Sequence, residues 1–270
     1  MTQKLGLALG GGAALGWAHI GIIQVLTENG IKPDIVTGTS IGSIVGACYV
    51  AGKMEALEKV ARGMNWHRMI RLAEIQVGKQ GFLAEEPVVA LMREHLGDSR
   101  IEGGDRPFAA VAADLVSGEQ VIFDRGDVVE ALRASISIPG VFTPVRSGER
   151  LLVDGGLLNT VPVSTCRDLG ADLVIGVNIV GDFEGQAAAA GLLGHLDEAA
   201  TPGKGGETAG ARAAFANLSQ SVARFFRGEA KEPGFLGVAL TSSALILREI
   251  ARGHAATSPT DVSIAPVRMS

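Results

Sequence analysis

Ser40 lies at the centre of residues 38–42, Gly-Thr-Ser-Ile-Gly, which have the spacing of a G-x-S-x-G motif. A short β-rich run, Ile35 and Val36, precedes the motif, and a helical pattern of small residues follows it. A serine between strand and helix is typical of a nucleophile elbow, in which a strained turn exposes the hydroxyl and flanking glycines permit close approach. Such a motif also occurs by chance in a chain with 37 glycines. The alternative is a plain turn in which Ser40 only caps the helix.

A glycine loop at residues 10–16 follows a short apolar run and precedes a second helical pattern. Its backbone N–H groups can converge on a negative oxygen, so the loop suits either a nucleotide phosphate or an oxyanion hole. The dinucleotide motif G-x-G-x-x-G fails because Leu15 occupies the sixth position from Gly10, and no Gly-Lys-Ser/Thr follows as in a Walker motif. An oxyanion hole needs only donors beside a nucleophile. Both loops are predicted at the C-terminal ends of parallel strands, where α/β folds place active sites.

A serine hydroxyl is a weak nucleophile until a base accepts its proton. The chain has five histidines, at positions 19, 67, 95, 195 and 254, and they fall in or near helical patterns or in an Ala/Gly-rich stretch. Asp154 instead ends a predicted strand and is followed by Gly155 and Gly156. A carboxylate there can serve Ser40 if it is close and partly desolvated, because desolvation raises its basicity. The alternative for residues 154–156 is a simple β-turn.

Composition limits the class of protein. The 270 residues are 47% hydrophobic and 20% charged, which is enough for a packed core and predicts a single domain over residues 1–270. The net charge of −5 argues against nucleic acid as a partner. Cys48 and Cys166 are expected to be buried thiols, because they lie in apolar helical patterns. The chain shows neither a signal-peptide pattern nor a long apolar run, so we expect a cytoplasmic location and leave peripheral membrane contact open.

The first 52 residues alternate strand, helix, strand, helix, which indicates a parallel sheet with right-handed crossovers. Further strands are predicted at residues 108–116, 119–123, 172–180 and 261–267, and helices at 54–64, 84–96, 127–134, 164–169 and 236–252. Residues 135–144 are expected to form an irregular, Pro-containing loop. Residues 184–232 are predicted to form a flexible insertion or lid, in which residues 215–226 have an amphipathic pattern.

Residues 10–21, 38–42 and 154–156 have the order and spacing of the motifs of patatin-like phospholipases. Over residues 4–180 the chain resembles the bacterial single-domain branch of that family, and residues 236–267 resemble it more weakly. Residues 135–144 are similar to the Ser/Pro loop that precedes the family's aspartate. The resemblance implies a three-layer α/β/α fold with a mainly parallel central sheet. It also implies hydrolysis of lipid carboxyl esters by a Ser–Asp dyad, with neither histidine nor a metal or other cofactor.

The resemblance also implies a role for each matching residue. Ser40 is the nucleophile, Asp154 is the base, Gly10, Gly11 and Gly12 form the oxyanion loop, and Gly38, Gly42, Gly155 and Gly156 shape the turns. One position departs from the family, which usually has Arg or Lys just before the last glycine of the loop, where this chain has Leu15. The missing cation weakens the expectation of a phospholipid substrate but leaves the backbone donors in place.

Alternatives to a dyad hydrolase also fit the sequence. An esterase of α/β-hydrolase type would use His195 or His254 as its base, since both follow Ser40 in the chain. A non-catalytic protein of the same fold would bind lipid or anions without hydrolysing them, and the absence of a cation at Leu15 favours this reading. A nucleotide-binding protein is disfavoured by the glycine spacing.

Overall fold

The computed structural model describes residues 3–63, 86–139, 141–179, 250, 253 and 257–265. Within these residues one sheet has eight strands, in which β5 pairs with β6, β6 with β3, β3 with β2, β2 with β1, β1 with β7 and β7 with β8, and β4 also pairs with β3. The strands are β1 Leu5–Leu9, β2 Ile35–Thr39, β3 Phe108–Asp114, β4 Gln120–Phe123, β5 Val145–Ser147, β6 Arg150–Asp154, β7 Leu173–Val177 and β8 Val262–Ile264.

Helices connect the strands. The described α-helices are α1 Ala18–Glu28, α2 Ile41–Val50, α3 Met54–Gly63, α4 Glu86–Leu96, α5 Val128–Ser135 and α6 Val163–Asp168, and short 3₁₀ turns cover Ala13–Trp17, Ile101–Gly103 and Gly155–Leu157. The start of α5 follows the sequence prediction closely, because the Asp127 side chain caps the helix by accepting a hydrogen bond from the Glu130 N–H, 2.9 Å long.

The sheet is mainly parallel, as predicted. β1 pairs in parallel with β2 and β7, β2 pairs in parallel with β3, and β7 with β8. The other pairings, β3 with β4, β3 with β6 and β5 with β6, are antiparallel. The predicted parallel core and the hairpin of β3 and β4 are therefore confirmed.

Helices cover both faces of the sheet, because alternate side chains of each strand point to opposite faces. Leu7 and Leu9 of β1 belong to a core cluster that includes Val45 of α2. Ala8, between them, belongs to a separate cluster with Val163 and Cys166 of α6. The three-layer α/β/α arrangement is thus confirmed. Both cysteines are free and buried, also as predicted.

Several predicted boundaries differ from the structure. β2 extends beyond the β-rich run of Ile35 and Val36 to Thr39, inside the G-x-S-x-G motif, and α2 begins within the motif at Ile41. β3 ends early, at Asp114, because the Asp114 carboxylate accepts hydrogen bonds from Val116 N–H and Ser117 Oγ and so forms a turn. The sequence did not predict β5, whose three residues are too few to show a periodicity.

Other predictions lie outside the described residues. They concern the insertion or lid at 184–232 with its amphipathic segment at 215–226, most of the helix at 236–252, and the histidines at positions 67, 195 and 254. Within the described part of the chain, no helix combines the length and the apolar character that a membrane crossing requires.

Candidate active site

Two strands reach the same point on one edge of β3 from opposite directions. β2 runs parallel to β3, and its last residue, Thr39, pairs with Val111. β6 runs antiparallel to β3, and its last residue, Asp154, pairs with Ala112. β4 pairs with residues of β3 that also pair with β2 and with β6. Because a strand has only two edges, β4 lies on one edge of β3, and β2 and β6 lie one after the other along the opposite edge. Their carboxyl ends therefore meet head to head, which brings Ser40 and Asp154 together.

Ser40 has a backbone conformation that few residues adopt. Its φ of 56° and ψ of −128° make it the one non-glycine residue with positive φ among those the structure describes. Such a conformation costs about 1–3 kcal/mol and is concentrated at functional sites. The Ser40 side chain makes no capping hydrogen bond to α2, although the residue occupies the N-cap position. The turn is therefore strained in the way a nucleophile elbow requires, and the reading of Ser40 as a helix cap is not supported.

Two glycines of the motif allow α2 to lie against the ends of β1 and β2. A Cβ atom on Gly42 would overlap the carbonyl oxygen of Leu9, and one on Gly38 would overlap the α2 backbone. A larger residue at either position would force the helix away from the sheet. The glycine loop reaches the elbow from the other side, since a Cβ atom on Gly11 would lie 3.5 Å from the Cβ atom of Ser40.

The amides of the glycine loop differ in what they bind. Gly10 N–H donates to the Val177 carbonyl oxygen at 3.0 Å, and Gly11 N–H donates to the Thr160 carbonyl oxygen at 2.9 Å. These two amides anchor the loop, which departs from the predicted role of both as oxyanion donors. Within the described part of the chain, no backbone carbonyl accepts from Gly12 N–H or from the N–H of Ile41, the residue after Ser40. Those two amides border the elbow and are open to an oxyanion.

His19 lies beneath the glycine loop and is fully buried. Its Nε2 is 2.8 Å from the Gly10 carbonyl oxygen, and its Nδ1 is buried without a partner among the described residues. Burial lowers the pKa of His19 to about 4, although the bond to Gly10 opposes this shift. The ring is therefore neutral at pH 7, and its Nε2–H donates to Gly10. The residue is a packed support of the loop and lies on α1, where the sequence showed a helical pattern.

Asp154 is buried beside Ser40, with 6% of its surface exposed. Its Oδ1 accepts a hydrogen bond from Gly156 N–H at 2.7 Å, and the Ser40 side chain lies close enough to stabilise the charged form of the carboxylate. Loss of water around the carboxylate raises the pKa of Asp154 to about 6, although the bonds from Ser40 and Gly156 oppose the shift. A carboxylate with a pKa near neutrality is basic enough to take a proton from a hydroxyl as that hydroxyl attacks.

A strap formed by residues 159–160 joins the loops of the site. The Thr39 hydroxyl donates to the Asn159 carbonyl oxygen at 2.8 Å, and Gly11 N–H donates to the neighbouring Thr160 carbonyl. The Thr160 hydroxyl donates to the carbonyl oxygen of Gly156, in the turn after the aspartate, at 3.1 Å. One short segment thus binds the elbow strand, the glycine loop and the Asp154 turn. This strap could not be recognised from the sequence, because most of its hydrogen bonds are accepted by backbone carbonyls, which any residue could supply.

Comparison with known proteins gives a family match for this chain. The family model described as "Patatin-like phospholipase" matches residues 7–167 of the chain. An uncharacterized NTE family protein of Mycobacterium tuberculosis is 38% identical over 186 residues, which cover 69% of this chain and 52% of that protein. The lysophospholipase nte1 of Aspergillus fumigatus is 32% identical over 192 residues, which cover 66% of this chain and 12% of that protein. The chain thus spans about half the length, or much less, of these relatives.

Among solved structures, VipD from Legionella pneumophila is similar at 15% sequence identity and a TM-score of 0.45, over 70% of this chain and 53% of that chain.

Proposed function

Because the chain belongs to the patatin-like phospholipase family, we propose that it is a serine acyl hydrolase that cleaves carboxyl esters of lipids through a Ser40–Asp154 dyad. The observation that carries this proposal is the head-to-head meeting of β2 and β6 along β3, which brings the strained Ser40 next to the buried Asp154 carboxylate. The fungal relative is named a lysophospholipase, so lysophospholipids and phospholipids are the first substrates to consider.

The first half of the proposed reaction acylates Ser40. Asp154 accepts the Ser40 proton as Oγ attacks the ester carbonyl carbon, and the electron pair of the carbonyl bond moves to its oxygen. The Gly12 and Ile41 amides donate to this oxyanion, and their fixed orientation lowers the barrier. Collapse of the intermediate breaks the bond to the alcohol, which takes the proton from Asp154.

The second half of the reaction releases the acid. Asp154 takes a proton from water as the water oxygen attacks the acyl-enzyme carbonyl. Collapse of the second intermediate expels the Ser40 oxygen, which regains the proton from Asp154. The fatty acid leaves, and the dyad returns to its starting state.

The direct test is release of free fatty acid by the purified protein from a lysophospholipid, a diacyl phospholipid and a monoacylglycerol. Turnover of any of these esters supports the proposal, and the ranking among them names the substrate. A folded protein that binds vesicles of the same lipids but releases no fatty acid would instead be the non-catalytic lipid-binding protein considered from the sequence.

Replacement of His195 and His254 should leave hydrolysis largely intact. We expect His195→Ala/His254→Ala to keep kcat within about threefold of wild type, because a dyad assigns them no proton transfer. A histidine-dependent esterase would lose about a thousandfold or more. The measurement is kcat on the best lipid ester, with each single variant as a control. A loss of that larger size in either single variant would contradict the dyad.

The activity should depend on pH through Asp154, whose raised pKa is about 6. Only the carboxylate form accepts a proton, so kcat/KM should be constant above that pH and fall about tenfold per unit below it. The measurement is kcat/KM from about pH 4.5 to about pH 8.5, with circular dichroism at each pH as a control for unfolding. An activity that stays constant well below pH 6 in folded protein would rule out Asp154 as the base.

A further inference from the structure

Ser135 is the last residue of α5 and is fully buried. Its hydroxyl makes two hydrogen bonds, both to the site. The oxygen accepts from Ser40 N–H at 2.9 Å, and the hydroxyl proton is donated to the Val111 carbonyl oxygen at 2.6 Å. The donation to Val111 fixes the rotation of the hydroxyl, so a lone pair faces the Ser40 amide.

The position of this hydroxyl explains how the elbow is held. Thr39 is the last residue of β2 paired with β3, opposite Val111, and the chain then turns sharply at Ser40. The Ser40 amide has left the strand ladder and is buried, so it needs another acceptor. Ser135 supplies this acceptor while it is itself bound to β3 at Val111. It therefore connects the strained residue to β3, the strand with which Asp154 of β6 pairs.

We propose that Ser135 is a positioning residue of the hydrolase, whose hydroxyl holds the Ser40 backbone in the conformation that keeps Oγ against the Asp154 carboxylate. The inference rests on the proposed function and extends it to a residue that does not touch substrate. In this view the elbow has two parts: the strained turn at Ser40, and Ser135, whose hydroxyl accepts the hydrogen bond of the Ser40 amide.

The chain offers a matched control two residues away. Ser137 is also fully buried, and its hydroxyl donates to the Arg133 carbonyl oxygen at 2.8 Å, within its own segment. Ser137→Ala therefore removes a buried serine hydroxyl from the same region without removing a bond to Ser40. Ser135→Cys is a second variant for the site itself, because it keeps the shape of the side chain, with a somewhat larger terminal atom, but offers only a weak sulfur acceptor.

The test compares these variants in the full-length protein. We expect Ser135→Ala to lower kcat about 10- to 100-fold with KM within about twofold, since misplacement of a reacting atom acts on the chemical step. Ser135→Cys should lie between Ser135→Ala and wild type, and Ser137→Ala within about threefold of wild type. In Ser135→Ala the acidic limb of kcat/KM should also move to higher pH, because Asp154 loses part of its bond from Ser40.

Amide hydrogen exchange supplies a readout that does not need activity. The Ser40 amide should lose protection in Ser135→Ala and keep it in Ser137→Ala. Unchanged kcat and unchanged Ser40 protection in Ser135→Ala would overturn the inference, and so would an equal loss in Ser137→Ala. A wild-type protein that hydrolyses no lipid ester would overturn the proposed function instead, and Ser40 protection would still decide whether Ser135 holds the elbow.

Discussion

Ser40→Ala should abolish ester hydrolysis and leave the fold intact. We expect kcat to fall by about 10⁴-fold or more, because the variant keeps the glycine loop but has no atom to form the acyl-enzyme. Alanine has the same Cβ atom as serine, so the backbone strain at this position is unchanged. The substitution removes a single oxygen atom from a residue that is 6% exposed in the native protein. The measurement is kcat together with labelling by a fluorophosphonate and peptide mapping of the labelled residue.

Ser99→Ala is the matched control for this variant. The Ser99 hydroxyl donates to the Leu96 carbonyl oxygen, and the residue lines a small cavity with Phe108, at the end of β3 opposite to Asp154. We expect this variant to be labelled at Ser40 as fast as wild type. If Ser40→Ala still turned over ester, or if the label mapped to another serine, the nucleophile would have been assigned to the wrong residue.

Asp154→Asn should lower kcat about 10³- to 10⁴-fold with little change in structure. The amide has the size of the carboxylate, and its oxygen can still accept the bond from Gly156 N–H. It cannot accept the Ser40 proton at any accessible pH, so the base is lost while the elbow is kept. The measurement is kcat as a function of pH, and the acidic limb of the wild-type profile should be absent. Turnover near the wild-type value would contradict the role of Asp154.

The same substitution should stabilise the protein at alkaline pH. The pKa of Asp154 is about 6 in the fold, against a usual value of 3.8. The folded state thus binds a proton at Asp154 more tightly than the unfolded state, so the contribution of Asp154 to stability is full below about pH 4 and is lost as the pH rises through about 6. A shift of about two pKa units corresponds to about 3 kcal/mol. Asparagine avoids this cost, and we expect urea unfolding at pH 8 to show a higher free energy of unfolding for the variant than for wild type.

The absence of such a gain would count against a costly buried carboxylate. If Asp154→Asn and wild type had equal unfolding free energies at pH 8 and the variant were more stable only at pH 4, the pH dependence would be the reverse of the one expected. Loss of activity together with a gain in stability is the pattern of a residue retained for chemistry at the expense of stability.

The parallel core of the sheet and the position of the elbow could be predicted because both depend on local patterns. The alternation of strand and helix over the first 52 residues determines a parallel core, and G-x-S-x-G marks the turn at Ser40. The strand-end position of Asp154 was visible in the same way. These features follow from hydrophobic periodicity and from glycine, which are properties of neighbouring residues.

The supports of the site could not be predicted, because they depend on register between distant elements. Periodicity indicates which face of a strand is buried, but not that β2 and β6 share one edge of β3. The acceptor role of Ser135 requires the end of α5 to lie over Val111, and nothing in the sequence near Ser135 shows this. The use of the Gly10 and Gly11 amides as anchors depends in the same way on Val177 and Thr160, far along the chain.

The head-to-head meeting of β2 and β6 also affects when the chain can become active during its synthesis. Ser40 and Asp154 are about a hundred residues apart, and contacts between such distant segments form late, since a long loop must close first. A nascent chain that has exposed Ser40 has no base for it until β6 has been made and has paired with β3. If Ser40 acts through Asp154 as proposed, it has no base while the chain is emerging and incomplete, and in refolding experiments the return of activity reports the pairing of β6 with β3 rather than the first collapse.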